Sequence, residues 1–362
     1  SMGPKVKKFE KITANYFGSK YCVMVNSGSS ANLIALSAVL LSDKYNLNKG
    51  DEVIVPSLSW STTYSPLFYL GLVPRYVDIS LDTLNISINK LEKSITKKTR
   101  AIFIVNITGN PNYFDKVSKL CKKKNILFFE DNCESMGAKY NKQFCGTFGL
   151  FGTMSTFFSH HISTMEGGIV LTDSKNLYDI MLSIRSHGWT RHLDNQSTIH
   201  KKSKNEFDEM FNFILPGFNL RPIEMEGAIG ISQMKKLNSF LIQRRRNAKY
   251  FLKKSKEYNQ YFKVQQEVGN SSWFSFTIIL CGYFEGKRSK ILKKLKDNSI
   301  ETRPICGGNF TKTKAAKYLG GNYKSRMPNT EYVHNNGFFI GNTHNNLSRE
   351  IDYFFEIIDS LK

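Results

Sequence analysis

The sequence predicts an α/β fold, a mostly parallel sheet wrapped by helices, followed by a smaller α+β carboxyl-terminal domain. Two observations carry this. Short β-rich runs recur between stretches of helical period, at Tyr21 to Val25, Glu52 to Val55, Ala101 to Val105, Ile126 to Phe129 and Ile169 to Leu171, the signature of parallel strands joined by helical crossovers. From Pro222 to about Tyr258 the pattern becomes one long helix with Met225, Ile229, Met234, Leu237 and Leu241 on a single face, and a helix of that length after the last sheet element commonly joins two domains. The expected division is residues 1–249 for the large domain, including the start of the interdomain helix, and 250–362 for the small one, with a strand at Phe274 to Leu280. A chain of 362 residues with 41% hydrophobic content is sufficient for both cores.

In a parallel sheet of this kind ligands sit beyond the carboxyl ends of the strands, so the residues after each run are the ones to read. After the first run comes Asn26-Ser27-Gly28-Ser29-Ser30-Ala31-Asn32, opening the helical stretch Leu33 to Leu41. A Gly/Ser turn at a helix start offers free N–H groups and a positive dipole end to a phosphate, although the same residues serve as ordinary caps. The second run ends in Pro56-Ser57-Leu58-Ser59-Trp60; the indole is either a stacking surface for an aromatic ligand or a core side chain. The fourth delivers Glu130-Asp131-Asn132-Cys133-Glu134. An acid there can pair with a protonated pyridine nitrogen, or simply cap a loop.

The stretch Ser155-Thr156-Phe157-Phe158-Ser159-His160-His161-Ile162-Ser163-Thr164-Met165-Glu166-Gly167-Gly168 holds adjacent histidines. Neighbours in extended chain point oppositely and no third ligand lies at useful spacing, so a metal site is not indicated. The six cysteines, Cys22, Cys121, Cys133, Cys145, Cys281 and Cys306, form no CxxC pair and no zinc spacing.

Taken in order, "NSGSSANL", "VPSLSW", "FFEDNCESMGA", "STFFSHHISTMEGG", "RSHGWTR" and "GFNLRPIEMEGAIG" resemble the DegT/DnrJ/EryC1/StrS nucleotide-sugar aminotransferases over nearly the whole chain from about Phe9. The resemblance implies the aspartate-aminotransferase (type I pyridoxal-phosphate) fold. Members usually read like "SFHxTKxxTxxEGG"; counted back from Glu166-Gly167-Gly168, the place of the coenzyme-binding lysine is taken by His160. This is similar to the family's sugar 3-dehydratase subgroup. Carried over, it implies phosphate contacts from Gly28, Ser29 and Ser155, ring stacking by Trp60, a pyridine-nitrogen partner in Asp131, and Glu134 near the ring hydroxyl. Asn219 would reach the phosphate of a neighbouring subunit's coenzyme, implying a homodimer. His187, Arg191 and Arg303 are implied contacts for sugar, diphosphate or amino donor. The cysteine cluster of iron–sulfur relatives has no counterpart here, so no iron–sulfur cluster is expected. The amino-terminal segment before the first strand is expected to be shorter than the family's usual one.

A lysine in this fold both holds pyridoxal phosphate covalently and moves protons, whereas imidazole can only move protons. With an ordinary pKa of about 6.5 it suits that task near neutrality. The expected reaction is therefore removal of the C3 hydroxyl from a 4-keto-6-deoxy hexose, GDP-linked by resemblance, in deoxysugar and lipopolysaccharide O-antigen synthesis. Pyridoxamine phosphate would be held non-covalently and regenerated by glutamate. The alternatives are a nucleotide-sugar aminotransferase, which needs another lysine at the ring, and a non-catalytic regulatory or binding protein of this fold, which would show decay of Asp131 or the Gly/Ser turn. The net charge of +21 is spread along the chain in short lysine clusters, the pattern of solvated faces rather than of a nucleic-acid groove. No run of about 18 apolar residues appears and the start has no apolar leader, so a cytoplasmic protein without membrane contact is expected.

Overall fold

The structure, a computed structural model, describes residues 2–362. Seven strands make the main sheet: β1 (Tyr21–Val25), β2 (Glu52–Pro56), β3 (Val73–Val77), β4 (Thr99–Val105), β5 (Leu127–Asp131), β6 (Gly152–Ser155) and β7 (Gly168–Thr172). Their order is β1-β7-β6-β5-β4-β2-β3. All neighbours pair in parallel except β7, which runs antiparallel to both β6 and β1. The carboxyl ends of β1, β2, β4, β5 and β6 therefore share one edge, and the amino end of β7 meets them there: Gly168 lies opposite both Val25 and Ser155.

Alternation along each strand sends side chains to two cores. Val23, Val25, Val53, Val55, Phe103, Phe129 and Phe151 face helices α2 (Gly28–Leu40) and α4 (Lys175–Ile184). Met24, Met154 and Ile169 face α1 (Pro4–Phe17) together with Leu237 and Leu241. Helix α3 (Ser61–Tyr69) follows β2. A second, four-stranded antiparallel sheet follows: β8 (Phe262–Lys263), β9 (Ser275–Leu280), β10 (Thr302–Arg303) and β11 (Gly337–Gly341), ordered β8-β9-β11-β10. Its core joins Phe276, Ile278 and Phe338 to Phe251, Phe354 and Phe355. No helix among the described residues is long and apolar enough to cross a membrane.

Two features depart from the sequence reading. The expected single helix from Pro222 to Tyr258 is two, α5 (Glu224–Met234) and α6 (Leu237–Ser255), with Lys235 and Lys236 between them. The expected apolar face does not hold in α5, where Gly227, Gly230 and Met234 are buried and Met225 is exposed. The reason is close approach to α1: a Cβ at Gly227 would lie 2.7 Å from the Val6 amide, and one at Gly230 would lie 2.7 Å from the Phe9 ring. The sequence reading also passed over β3 and β6. In β3 the proline Pro74 is tolerated because the strand lies at the sheet edge. The short β6 starts at Gly152, where a Cβ would fall 2.1 Å from the Gly146 carbonyl oxygen.

Candidate active site

At the carboxyl end of β1, Ser27 caps α2 by accepting a hydrogen bond from the Ser30 amide at 3.1 Å, and its carbonyl accepts from Ala31. The geometry of a helix start leaves the N–H groups of Gly28 and Ser29 without intrahelical partners. A side chain at Gly28 would sit 2.7 Å from Ser155 Cβ and 3.1 Å from Cys133 Sγ, so only glycine lets this turn close onto the ends of β5 and β6. Gly28, Ser29 and Ser155 thus converge, and Ser29 Oγ donates to Thr62 Oγ1 at 2.9 Å.

Asp131, at the end of β5, is buried and ties these elements together. Its Oδ2 accepts from Asn32 Nδ2 at 2.9 Å and from Thr63 Oγ1 at 2.7 Å, while Oδ1 accepts from the Cys133 amide at 3.2 Å. Asn32 lies one helical turn beyond Gly28 on the same face of α2, and its Oδ1 accepts from Thr153 of β6 at 2.6 Å. Thr63 lies in the first turn of α3, where its hydroxyl also meets Ser59 Oγ at 2.8 Å. Trp60 stands just before that turn with 61% of its surface exposed, which removes the core reading and leaves a flat face at the mouth of the site.

Glu134 Oε2 accepts from the Thr108 amide at 2.9 Å and from the Cys306 thiol at 3.1 Å. Burial pushes its carboxyl above the usual range, and the two donors oppose that shift.

His160 lies at the tip of the loop between β6 and β7. The loop is closed at its base by the Thr156 and Thr164 hydroxyls, 2.6 Å apart. The imidazole packs against Phe274, ring centroids 5.2 Å apart, and edge-on to Phe157 at 5.9 Å. Its Nδ1 is buried without a hydrogen-bond partner. Burial, aided by the Arg244 guanidinium, pulls its pKa down to about 4. The expectation of a group titrating near neutrality is corrected accordingly: the ring is neutral at pH 7. His161 is fully buried, its Nε2 3.2 Å from the Ser272 carbonyl oxygen and its ring centroid 5.7 Å from that of Phe274. The Phe274 amide donates to the Thr108 carbonyl at 3.0 Å, so His160 and Glu134 are linked through one short stretch of backbone.

The other expected residues make no side-chain hydrogen bond with this cluster among the described residues, although the Asn26 amide beside the Ser27 cap donates to the Leu220 carbonyl at 3.1 Å. His187 and Asn219 are exposed neighbours on two crossing segments: the His187 amide donates to the Phe218 carbonyl at 2.7 Å, and Ser186 bridges Asn219. Asn219 Oδ1 accepts from Arg221 Nε at 2.9 Å. Arg191 lies over the Trp189 ring at 5.0 Å. Arg303, on the second sheet, is paired with Glu301 at 2.7 Å in solvent.

Sequence reasoning missed Asn32, Thr63, Thr108, Cys306, Phe274 and Arg244. Asn32 had a signal, since it is four residues from Gly28 and must share its helix face. Thr108 and Cys306 had none: both are non-glycine residues at positive φ, 50° and 45°, which composition does not announce.

The family model for the DegT/DnrJ/EryC1/StrS aminotransferase family matches residues 1–359. The chain is 49% identical over 360 residues to the GDP-4-keto-6-deoxy-D-mannose 3-dehydratase of Escherichia coli O55:H7, covering 99% of this chain and 92% of that protein. A solved structure of GDP-4-keto-6-deoxymannose-3-dehydratase with a trapped PLP-glutamate geminal diamine superposes with a TM-score of 0.96 at 49% identity, covering 99% of this chain and 93% of the other. A histidine-to-asparagine variant of that enzyme, solved with bound GDP-perosamine, matches with the same TM-score and coverage. The architecture is the aspartate-aminotransferase type, and the chain belongs to the DegT/DnrJ/EryC1/StrS aminotransferase family.

Proposed function

We propose that this protein is a pyridoxamine-phosphate-dependent nucleotide-sugar 3-dehydratase that removes the C3 hydroxyl of a GDP-linked 4-keto-6-deoxy hexose, with glutamate as the amino donor that renews the coenzyme. The observation that carries the reading is His160: a neutral, half-buried imidazole stands on the loop after β6 where the family carries its lysine. The 49% identity to a named 3-dehydratase over nearly the full chain supports the same reaction.

The cradle fits the coenzyme. The amides of Gly28 and Ser29 and the Ser155 hydroxyl offer a phosphate neutral donors at a helix start, as anion sites require. Asp131 places a fixed carboxylate opposite where a pyridine nitrogen would lie, and three protein donors keep it from rotating. Trp60 would offer the stacking face, and Glu134 would stand by the ring hydroxyl. Once bound, pyridoxamine phosphate supplies an electron sink through which a hydroxyl next to a keto carbon can be expelled. His160 would take the proton from the coenzyme's C4′ carbon and give that same proton to the departing C3 hydroxyl oxygen, which leaves as water. Since Nδ1 is buried without a partner, that exchange falls to Nε2. A depressed pKa keeps the ring ready as a base at neutral pH and makes the protonated ring a strong acid toward the leaving group.

The protein is further proposed to be a cytoplasmic homodimer. His187, Arg191 and Arg303 would contact sugar, diphosphate or glutamate, and Asn219 would serve the partner's coenzyme phosphate. The boundary between the two domains is placed near residue 249, within α6.

The decisive experiment incubates the protein with glutamate and a panel of 4-keto-6-deoxy nucleotide sugars and weighs the products. A product lighter by one oxygen atom is expected, and an amino sugar would establish the aminotransferase reading instead. Borohydride treatment should leave no coenzyme attached to protein, and a pyridoxyl-lysine peptide would overturn the role of His160.

A further inference from the structure

We propose that Cys306 is a positioning residue: its thiol, with the Thr108 amide, fixes the Glu134 carboxylate so that only one of its oxygens is free for the coenzyme. This rests on the reading above that places Glu134 beside the ring hydroxyl.

Both donors converge on one oxygen. Oε2 receives the Thr108 amide at 2.9 Å and the Cys306 thiol at 3.1 Å, and Oε1 receives no protein donor among the described residues. The two donors come from separate parts of the chain, and each sits in the left-handed region, Thr108 at φ 50° and Cys306 at φ 45°. Non-glycine residues hold that conformation only where surrounding contacts impose it. Those contacts are present. Thr108 is held by Gln265, whose Oε1 accepts from its hydroxyl at 2.6 Å, and by the Phe274 amide. Cys306 is buried and precedes Gly307 and Gly308, also at positive φ, and the loop is anchored where the Phe310 amide donates to the Ser57 carbonyl at 3.1 Å. Burial and the neighbouring carboxylate push the thiol well above its ordinary value, so it keeps its proton and remains a donor across neutral pH. The loop carrying Cys306 leaves β10 directly after Arg303, so the orientation of Glu134 depends on the second sheet as well as on the first.

The test compares wild type, C306A, C306S and E134Q as full chains with pyridoxal phosphate. Three quantities are read: the pH midpoint of the bound coenzyme's absorption, the coenzyme Kd from quenching of tryptophan fluorescence, and the infrared S–H band that C306S abolishes. C306A should move the absorption midpoint in the direction that E134Q moves it and weaken coenzyme binding about tenfold, the loss of one hydrogen bond to a charged group. C306S, whose hydroxyl still donates, should stay near wild type, and the S–H band should shift in E134Q. The proposal is overturned if C306A keeps the wild-type midpoint while E134Q moves it, or if the S–H band is the same in E134Q. If E134Q leaves the absorption unchanged while the S–H band shifts, Glu134 is not beside the coenzyme; the reading itself then fails, and Cys306 is a structural contact only. Should C306A fail to fold, the S–H shift in E134Q and the C306S midpoint separate the same outcomes.

Discussion

The cradle at the sheet edge and the outer segments around His187 and Asn219 satisfy their polar groups in opposite ways. In the cradle, Asp131, Asn32, Thr63, Thr153 and Ser59 form one buried network drawn from four elements of a single chain. In the outer segments the candidate side chains pair locally or stand in solvent, Asn219 with Arg221 and Arg191 with Trp189. They are flanked by large apolar side chains left exposed, Phe207 at 79% and Phe211 at 67%. Exposed apolar area of this kind marks an interaction surface. The first region closes its hydrogen bonds within the chain; the second leaves polar and apolar side chains open to solvent.

The largest effect should come from the cradle. His160→Asn keeps polarity and approximate size but can neither take up nor give back a proton, so the dehydration rate should fall by about 100- to 10,000-fold. Coenzyme affinity should change far less, because Gly28, Ser155, Trp60 and Asp131 are untouched. His161→Asn is the control. Its side chain is turned to the Ser272 carbonyl, so it should cost stability more than turnover. If His161→Asn abolishes turnover and His160→Asn does not, the assignment of the lysine position is off by one residue. In the wild type, kcat/KM should persist well below pH 6, because the base loses its proton-free form only near pH 4.

Much of the cradle was legible because its chemistry is local: a Gly/Ser turn, an acid at a strand end and a histidine at a fixed distance before Gly167-Gly168 are each readable from a few adjacent residues. What stayed hidden depends on residues far apart in sequence. Nothing near Cys306 signals Glu134, and nothing near His160 signals that burial against Phe274 and the charge of Arg244 will depress its pKa. The same limit explains the helix error. The periodicity of Met225 and Ile229 was real, but α1 packs on the glycine face, where backbones approach closely, and apolar periodicity does not register an absent side chain.

A mixing experiment addresses the second region. One subunit carries Asn219→Ala and the other Asp131→Ala, each inactive or nearly so alone. If Asn219 serves the partner's site, a mixed dimer has one repaired site, with Asp131 from the first subunit and Asn219 from the second. Random mixing in equal amounts should then restore about a quarter of wild-type sites. No recovery in demonstrably mixed dimers would place Asn219 in its own subunit's site, and the outer segments would lose their proposed role.

The smallest effect compares the two regions through stability rather than turnover. Burial, aided by Arg244, lowers the pKa of His160 to about 4 and also holds that of His161 well below its ordinary value. In the outer region burial lowers His192 to about 4, aided by Arg185, Arg191, Lys7 and Arg221. In the unfolded chain each would titrate near about 6.5. Between those values the unfolded state binds more protons than the folded state, so stability rises with pH through that window. The contribution is fully present above about pH 6.5 and is lost as pH falls toward 4. Replacing one such histidine by glutamine should therefore reduce the difference in urea midpoint between pH 7 and pH 5. Both rings stay neutral in the folded state at pH 5, so the reduction should be similar for His161→Gln and His192→Gln. A reduction in only one variant would mean that the fold holds only that histidine neutral, and an unchanged difference in both variants would show that it holds neither.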